Sequence, residues 1–327
     1  MTRCSGLRPA GGLILGLVFA LSRPVSTDER RPYGPALEGE EAERFLRTTA
    51  VVERQAIGKG VTRPERLTLS DGKRTVRGVW KTVDEHTPGM VRMENGGWEF
   101  DFRDSWKSEV AAYELDKLLG LGLVPPTIAR EVEGRRGSLQ LWVEGAMTEK
   151  SRRTRGLEPK GPGEIIRWTQ QIHNTRLLHQ LTYNTDFRNV ENVLVDPSFR
   201  VYVVDSSRAF RIQQELLAPN DLKCFSRIVL QQLEELDQTR LEERLGPWLS
   251  AMQIEGLLQR RDKILEIVRR LLEEKGPGLI LFGPSPTERV SPSTHLPNGR
   301  TWRFSGRDDR REWSRHLGSW AGRPPLP

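Results

Sequence analysis

At 327 residues the chain is long enough for one large domain or two small ones, and 36% apolar residues with a mean hydropathy of -0.56 predict that part of it lies outside any core. The net charge of +7 sits at the ends, with five arginines against Asp28 and Glu29 in residues 1–32 and eight against four acids in residues 276–327; the neutral stretch between them argues against a broad nucleic-acid footprint. Two cysteines exclude a disulfide framework, and His86, His173, His179, His295 and His316 keep no zinc-ligand spacing.

Residues 1–27 place Arg3 and Arg8 before an apolar run over 11–21. That run is short for a bilayer span and has the layout of a secretory signal peptide, with an uncleaved anchor or a start placed too early as the alternatives. The chain is accordingly exported or membrane-associated if this leader is genuine, and cytoplasmic otherwise. Residues 28–50 are polar and read as a linker, with a short helix at most around Glu40, Glu41 and Glu43.

Residues 51–79 then alternate as paired strands, turning at Gly58-Lys59-Gly60 and at Asp71-Gly72. Two glycines in a strand turn let backbone N–H groups approach a phosphate, although the same turn is common without any ligand. The strand that follows ends in Trp80-Lys81, where a lysine between apolar residues reads equally as one snorkelling from a core. Residues 84–104 are rich in Gly and charge and predict a loop. The spacing of Ala111, Leu115, Leu118 and Leu119 predicts a helix over 108–119, stopped by Gly120, Gly122 and Pro125-Pro126, with Glu109 in its first turns. A strand lysine and a helix glutamate together can form the ion pair that holds a lysine against nucleotide phosphates.

Two further strands, over 124–131 and 137–144, run into Gly145 as a hinge between lobes would. Residues 148–163 are basic and Gly/Pro-rich and predict a loop, after which Ile165, Trp168, Ile172, Leu178 and Leu181 predict a helix leading into Asn184-Thr185-Asp186. The runs Val193-Leu194-Val195 and Val201-Tyr202-Val203-Val204, joined by Asp196-Pro197-Ser198-Phe199, predict a β-hairpin. Asn192 precedes the first run and Asp205 follows the second, so the hairpin returns both to the same end. Such short oxygen-bearing side chains suit a hard divalent cation, and they serve equally well as turn formers and caps. Residues 221–272 predict helices divided at Gly246-Pro247. Residues 276–327, with eight of the 21 prolines, read as a disordered basic tail.

The order of these parts resembles the protein-kinase-like superfamily, and most closely its atypical bacterial branch, related to HipA-type kinases, phosphatidylinositol 3- and 4-kinase-like domains and secretory-pathway kinases. The likeness rests on the helix bearing Glu109 with its Leu123-Val124-Pro125-Pro126 exit, on Asn184-Thr185-Asp186, on Asn192-Val193-Leu194-Val195, and on Asp205-Ser206-Ser207-Arg208-Ala209-Phe210. It implies an α+β, two-lobed protein-kinase-like fold, with a β-rich N-lobe and hinge over 51–145 and a mostly helical C-lobe over 146–275.

The resemblance implies an ATP- and Mg²⁺-dependent phosphotransferase, with Mn²⁺ as a substitute ion. Gly58 and Gly60 would cover the phosphates, Lys81 would contact them while paired to Glu109, and residues 141–145, with Leu141 and Val143, would take the adenine. Asp186 would orient or deprotonate the acceptor hydroxyl, and Asn192 and Asp205 would hold the metal. The kinase pattern spaces its Asp and Asn five apart, whereas Asn192 lies six after Asp186. Phe187 is then an insertion, or Glu191 is the ligand, or the site is damaged; the first is favoured because Asn192 abuts the apolar strand. A catalytically impaired, nucleotide-binding interaction module and an AMP-transferring enzyme are the alternatives. The partners implied are a nucleotide and a protein or small-molecule acceptor, with no specific nucleic acid, no stable transmembrane span and a monomeric state.

Overall fold

The computed structural model describes residues 34–58, 64–93 and 96–284. The leader, Gly60 and residues 285–327 lie outside the described residues, and with them most of the predicted tail. Among the described residues no helix is long and apolar enough to cross a membrane.

The first lobe is built on an antiparallel sheet of β2 (Val51–Ala56), β3 (Glu65–Ser70), β4 (Thr75–Lys81), β7 (Thr127–Val132) and β8 (Arg135–Leu141), in the order β2-β3-β4-β8-β7. Along β4 the period of two buries Val76, Gly78 and Trp80 on one face and leaves Arg77, Val79 and Lys81 on the other. The buried face meets α1 (Gly39–Thr48), whose Ala42, Phe45 and Leu46 recur at helical spacing and share a core with Leu67, Leu69, Trp80, Ile128 and Leu139. Residues 39–48 are therefore part of the first lobe and not linker; Arg130 fixes the end of this helix by donating to the carbonyls of Leu46 at 2.6 Å and Thr49 at 2.7 Å. Residues 34–35 form β1, which pairs with β9 (Val143–Glu144).

Between β4 and the Glu109 helix, residues expected as a loop form a second hairpin, β5 (Asp84–Arg92) and β6 (Trp98–Ser105). The helix itself, α2 (Trp106–Leu119), starts at the Ser105 cap and ends at Gly120, whose backbone is left-handed (φ 65°) as a helix-terminating glycine requires. Its Ala111, Ala112, Tyr113, Leu115 and Leu119 pack into the larger core, which runs through the second lobe.

The second lobe contains β10 (Met147–Thr148), α3 (Glu149–Thr154), α4 (Pro162–Thr182), the hairpin β11 (Val193–Val195) and β12 (Val201–Val203), and helices α5 (Arg227–Glu234), α6 (Gln238–Leu245) and α7 (Ala251–Lys275). The short helix α3 corrects the loop expected over 148–163. Part of the predicted tail is also structured: α8 (Pro277–Ile280) leads into β14 (Leu281–Phe282), which pairs in parallel with β13 (Phe225–Ser226). The α+β class with a strand-rich first lobe and a helical second lobe follows directly from this order.

Candidate active site

Three side chains far apart in sequence meet in one charged cluster. Lys81 Nζ donates to Glu109 Oε1 at 2.5 Å and to Asp205 Oδ1 at 2.7 Å. Each arrives for a local reason: Lys81 by the alternation of β4, Glu109 in the first turn of α2, and Asp205 just past β12. Glu109 is 2% exposed, Lys81 12% and Asp205 46%, so the cluster is closed on the helix side and open at Asp205. Burial raises the Glu109 pKa above the usual carboxylate range, Lys81 opposing it, while its second oxygen accepts the Ser206 N–H at 3.0 Å. Burial favours the neutral amine of Lys81, but the charges of Glu109 and Asp205 outweigh it and raise its pKa, so Lys81 stays charged. At Asp205 burial likewise opposes ionisation, and the Lys81 ammonium overcomes it, holding the carboxyl below its ordinary range. Its backbone is left-handed (φ 60°), which costs a non-glycine residue about 1 kcal/mol or more.

The hairpin register pairs Val193 with Val203, and Val204 N–H donates to the Asn192 carbonyl at 2.9 Å. Asn192 and the neighbour of Asp205 therefore stand side by side at its open end. Asn192 Nδ2 donates to Asp186 Oδ2 at 2.7 Å, and Asn189 Nδ2 donates to the same oxygen at 3.0 Å. Consecutive turns, with Asn189 N–H on the Asp186 carbonyl at 2.9 Å and Asn192 N–H on the Asn189 carbonyl at 3.0 Å, absorb the sixth residue of the spacing. Glu191 instead is exposed and pairs with Lys150 at 2.8 Å. The geometry thus joins Asn192, not Glu191, to Asp186.

Among the described residues no group of three or more His, Cys, Asp or Glu is placed to hold a metal ion. The pair Asn192 and Asp205 supplies a different set. With its nitrogen committed to the Asp186 carboxylate, the Asn192 amide leaves Oδ1 without a hydrogen bond among the described residues, and Asp205 Oδ2 is likewise unclaimed while Oδ1 accepts from Lys81 and from Ser207 Oγ at 3.2 Å. One amide and one carboxylate oxygen fit a hard cation that keeps waters and draws its remaining ligands from phosphates.

Other expected residues are not brought into this cluster. Leu141 lies in the apolar core of the first lobe, its N–H donating to the Pro126 carbonyl at 2.8 Å, and Val143 is buried in β9. Gly58 lies two residues past the end of β2, with open space where a Cβ would stand. Asn189 is a functional residue the sequence reading missed; its place three residues after Asp186 is the signal that could have found it.

No protein-family model matches the chain, and no curated protein is significantly similar to it. Likeness is found among solved structures. The structure of hydra Fam20 with sugar aligns at a TM-score of 0.53 with 14% identity, over 73% of this chain and 90% of that one. The structure of the Helicobacter pylori proinflammatory kinase CtkA aligns at a TM-score of 0.40 with 11% identity, over 70% of this chain and 98% of that one. The likeness to the Fam20 structure is one of fold, which is protein-kinase-like; neither structure bears on the HipA-type or phosphatidylinositol-kinase-like branches.

Proposed function

We propose that the chain is an ATP- and Mg²⁺-dependent phosphotransferase that moves the terminal phosphoryl group of ATP to a hydroxyl. The observation that carries this reading is the ion cluster of Lys81, Glu109 and Asp205 opening toward the Asp186–Asn192 pair. Glu109 holds the Lys81 ammonium in place from the buried side, so Lys81 presents fixed positive charge to phosphate oxygens without reorganising during reaction. Asn192 and Asp205 would hold Mg²⁺, which supplies neutralisation of the charge on the phosphates. Asp186, oriented by the Asn189 and Asn192 amides, takes the hydroxyl proton as the acceptor oxygen bonds to the terminal phosphorus and the bond to the ADP oxygen breaks. By the kinase resemblance, residues 141–145 would take the adenine and Gly58 with Gly60 would cover the phosphates.

The test is product analysis after incubation with ATP and Mg²⁺ or Mn²⁺. The account predicts ADP and a phosphate-sized mass gain on protein or added hydroxyl acceptor, with Asp186→Asn lowering the rate about 100-fold or more. An AMP-sized adduct with pyrophosphate release would replace phosphoryl by nucleotidyl transfer. Nucleotide binding without turnover on any acceptor would make the chain an interaction module.

A further inference from the structure

The hairpin of β5 and β6 grips the segment that follows Asp205. Glu99 accepts from Arg208 with one carboxylate oxygen and from Arg211 with the other. The Phe102 ring lies 5.5 Å from the Arg208 guanidinium and 5.8 Å from that of Arg211. The Asp101 carbonyl accepts from Arg211, and Ser105 N–H donates to the Ser207 carbonyl at 3.0 Å. Arg211 is 1% exposed, and Glu99 is the carboxylate that pairs with it. Only Ser206 and Ser207 separate this grip from Asp205; Ser207 Oγ reaches Asp205 Oδ1, and Ser206 N–H reaches Glu109.

We infer that Glu99 is a positioning residue: through Arg208 and Arg211 it fixes the segment that aims the Asp205 carboxylate at the cation. A carboxylate bridging two arginines orders this segment permanently, as an added phosphate orders such segments in switchable enzymes. The inference rests on the phosphotransferase reading, in which Asp205 holds the metal. Residues that orient metal ligands typically change metal affinity 10- to 100-fold. A merely structural Glu99 would lower the melting temperature and leave that affinity alone.

The experiment titrates Mg²⁺ into the full chain at saturating ATP, following thermal stabilisation, for the parent, Glu99→Gln, Glu99→Asp, Arg208→Gln, the Glu99→Gln/Arg208→Gln pair and Asp205→Ala. The expected result is Mg²⁺ affinity weakened about 10-fold or more in Glu99→Gln, partly restored in Glu99→Asp, and lowered little further in the double variant. Affinity for ATP without metal stays at the parent value. If Glu99→Gln fails to fold, Arg208→Gln carries the comparison, since its side chain is partly exposed. Parent-like Mg²⁺ affinity in folded Glu99→Gln, with the response lost in Asp205→Ala, overturns this inference alone. A parent that responds no more than Asp205→Ala overturns the phosphotransferase reading and this inference with it.

Discussion

Two buried residues set opposite pH dependences. Asp116 accepts the N–H groups of Leu123 at 2.9 Å, Gly122 at 3.0 Å and Val124 at 3.2 Å, tying α2 to its exit; burial nevertheless pushes its pKa up to about 6. Its folded value exceeds the unfolded one, so its contribution is present at about pH 4 and is lost as pH rises through about 6. Burial alone pushes His179 down to about 4, with its Nε2 unpartnered. The unfolded histidine takes up a proton that the folded one refuses, so stability falls as pH drops from about 6.5 to 4. Between about pH 4 and 6 the two effects offset one another. In Asp116→Asn the histidine acts alone, and urea stability should fall on acidification by up to about 1.4 kcal/mol per pH unit relative to the parent. In His179→Gln it should instead rise toward pH 4. Parent-like pH dependence in both variants would contradict the assignment.

Among the elements, the closeness of β4 and β8 sets the height of Lys81 above α2. A Cβ on Gly137 would stand 2.2 Å from the Lys81 carbonyl oxygen, which is backbone and cannot step aside. Gly137→Ala is expected to cost about 1–3 kcal/mol in chemical denaturation and to weaken nucleotide binding, because the strand carrying Lys81 must shift. A stable variant with unchanged binding would show that the strands have slack. The strand bearing Lys81 and the helix bearing Glu109 were legible from periods of 2 and 3.6, and the hairpin flanked by Asn192 and Asp205 from two short apolar β-branched runs around a turn. The β5–β6 hairpin was not: β5 is exposed on nearly every residue and carries no apolar alternation, and in β6, where Trp98, Phe100 and Phe102 alternate with Glu99, Asp101 and Arg103, Asp101 on the charged face is buried while Trp98 and Phe100 are exposed. In α1 the acids and arginines of residues 40–47 mask the three apolar residues that pack. Glu99 and its two arginines lie in separate elements, and no local pattern connects them.

At the scale of the molecule, α2 belongs to the second lobe's core as much as to the first lobe's sheet. Trp106 meets Trp248 edge to face at 6.1 Å, Arg244 pairs with Glu114 at 2.6 Å, and Arg200 ties the β11–β12 turn to Glu38 at 3.0 Å. A helix seated in this way holds Glu109 against Lys81, so the ion cluster is already formed in this structure.

That preformed cluster is tested most directly by thermal-shift titration of the chain with ATP and Mg²⁺, comparing the parent with Lys81→Ala and Asp205→Ala. At a hundred times its dissociation constant a ligand stabilises by about 2.7 kcal/mol, well within the resolution of a melting curve. The account predicts stabilisation of the parent by nucleotide that metal increases and that weakens in each variant. Equal stabilisation in all three proteins, or none in the parent, would contradict it.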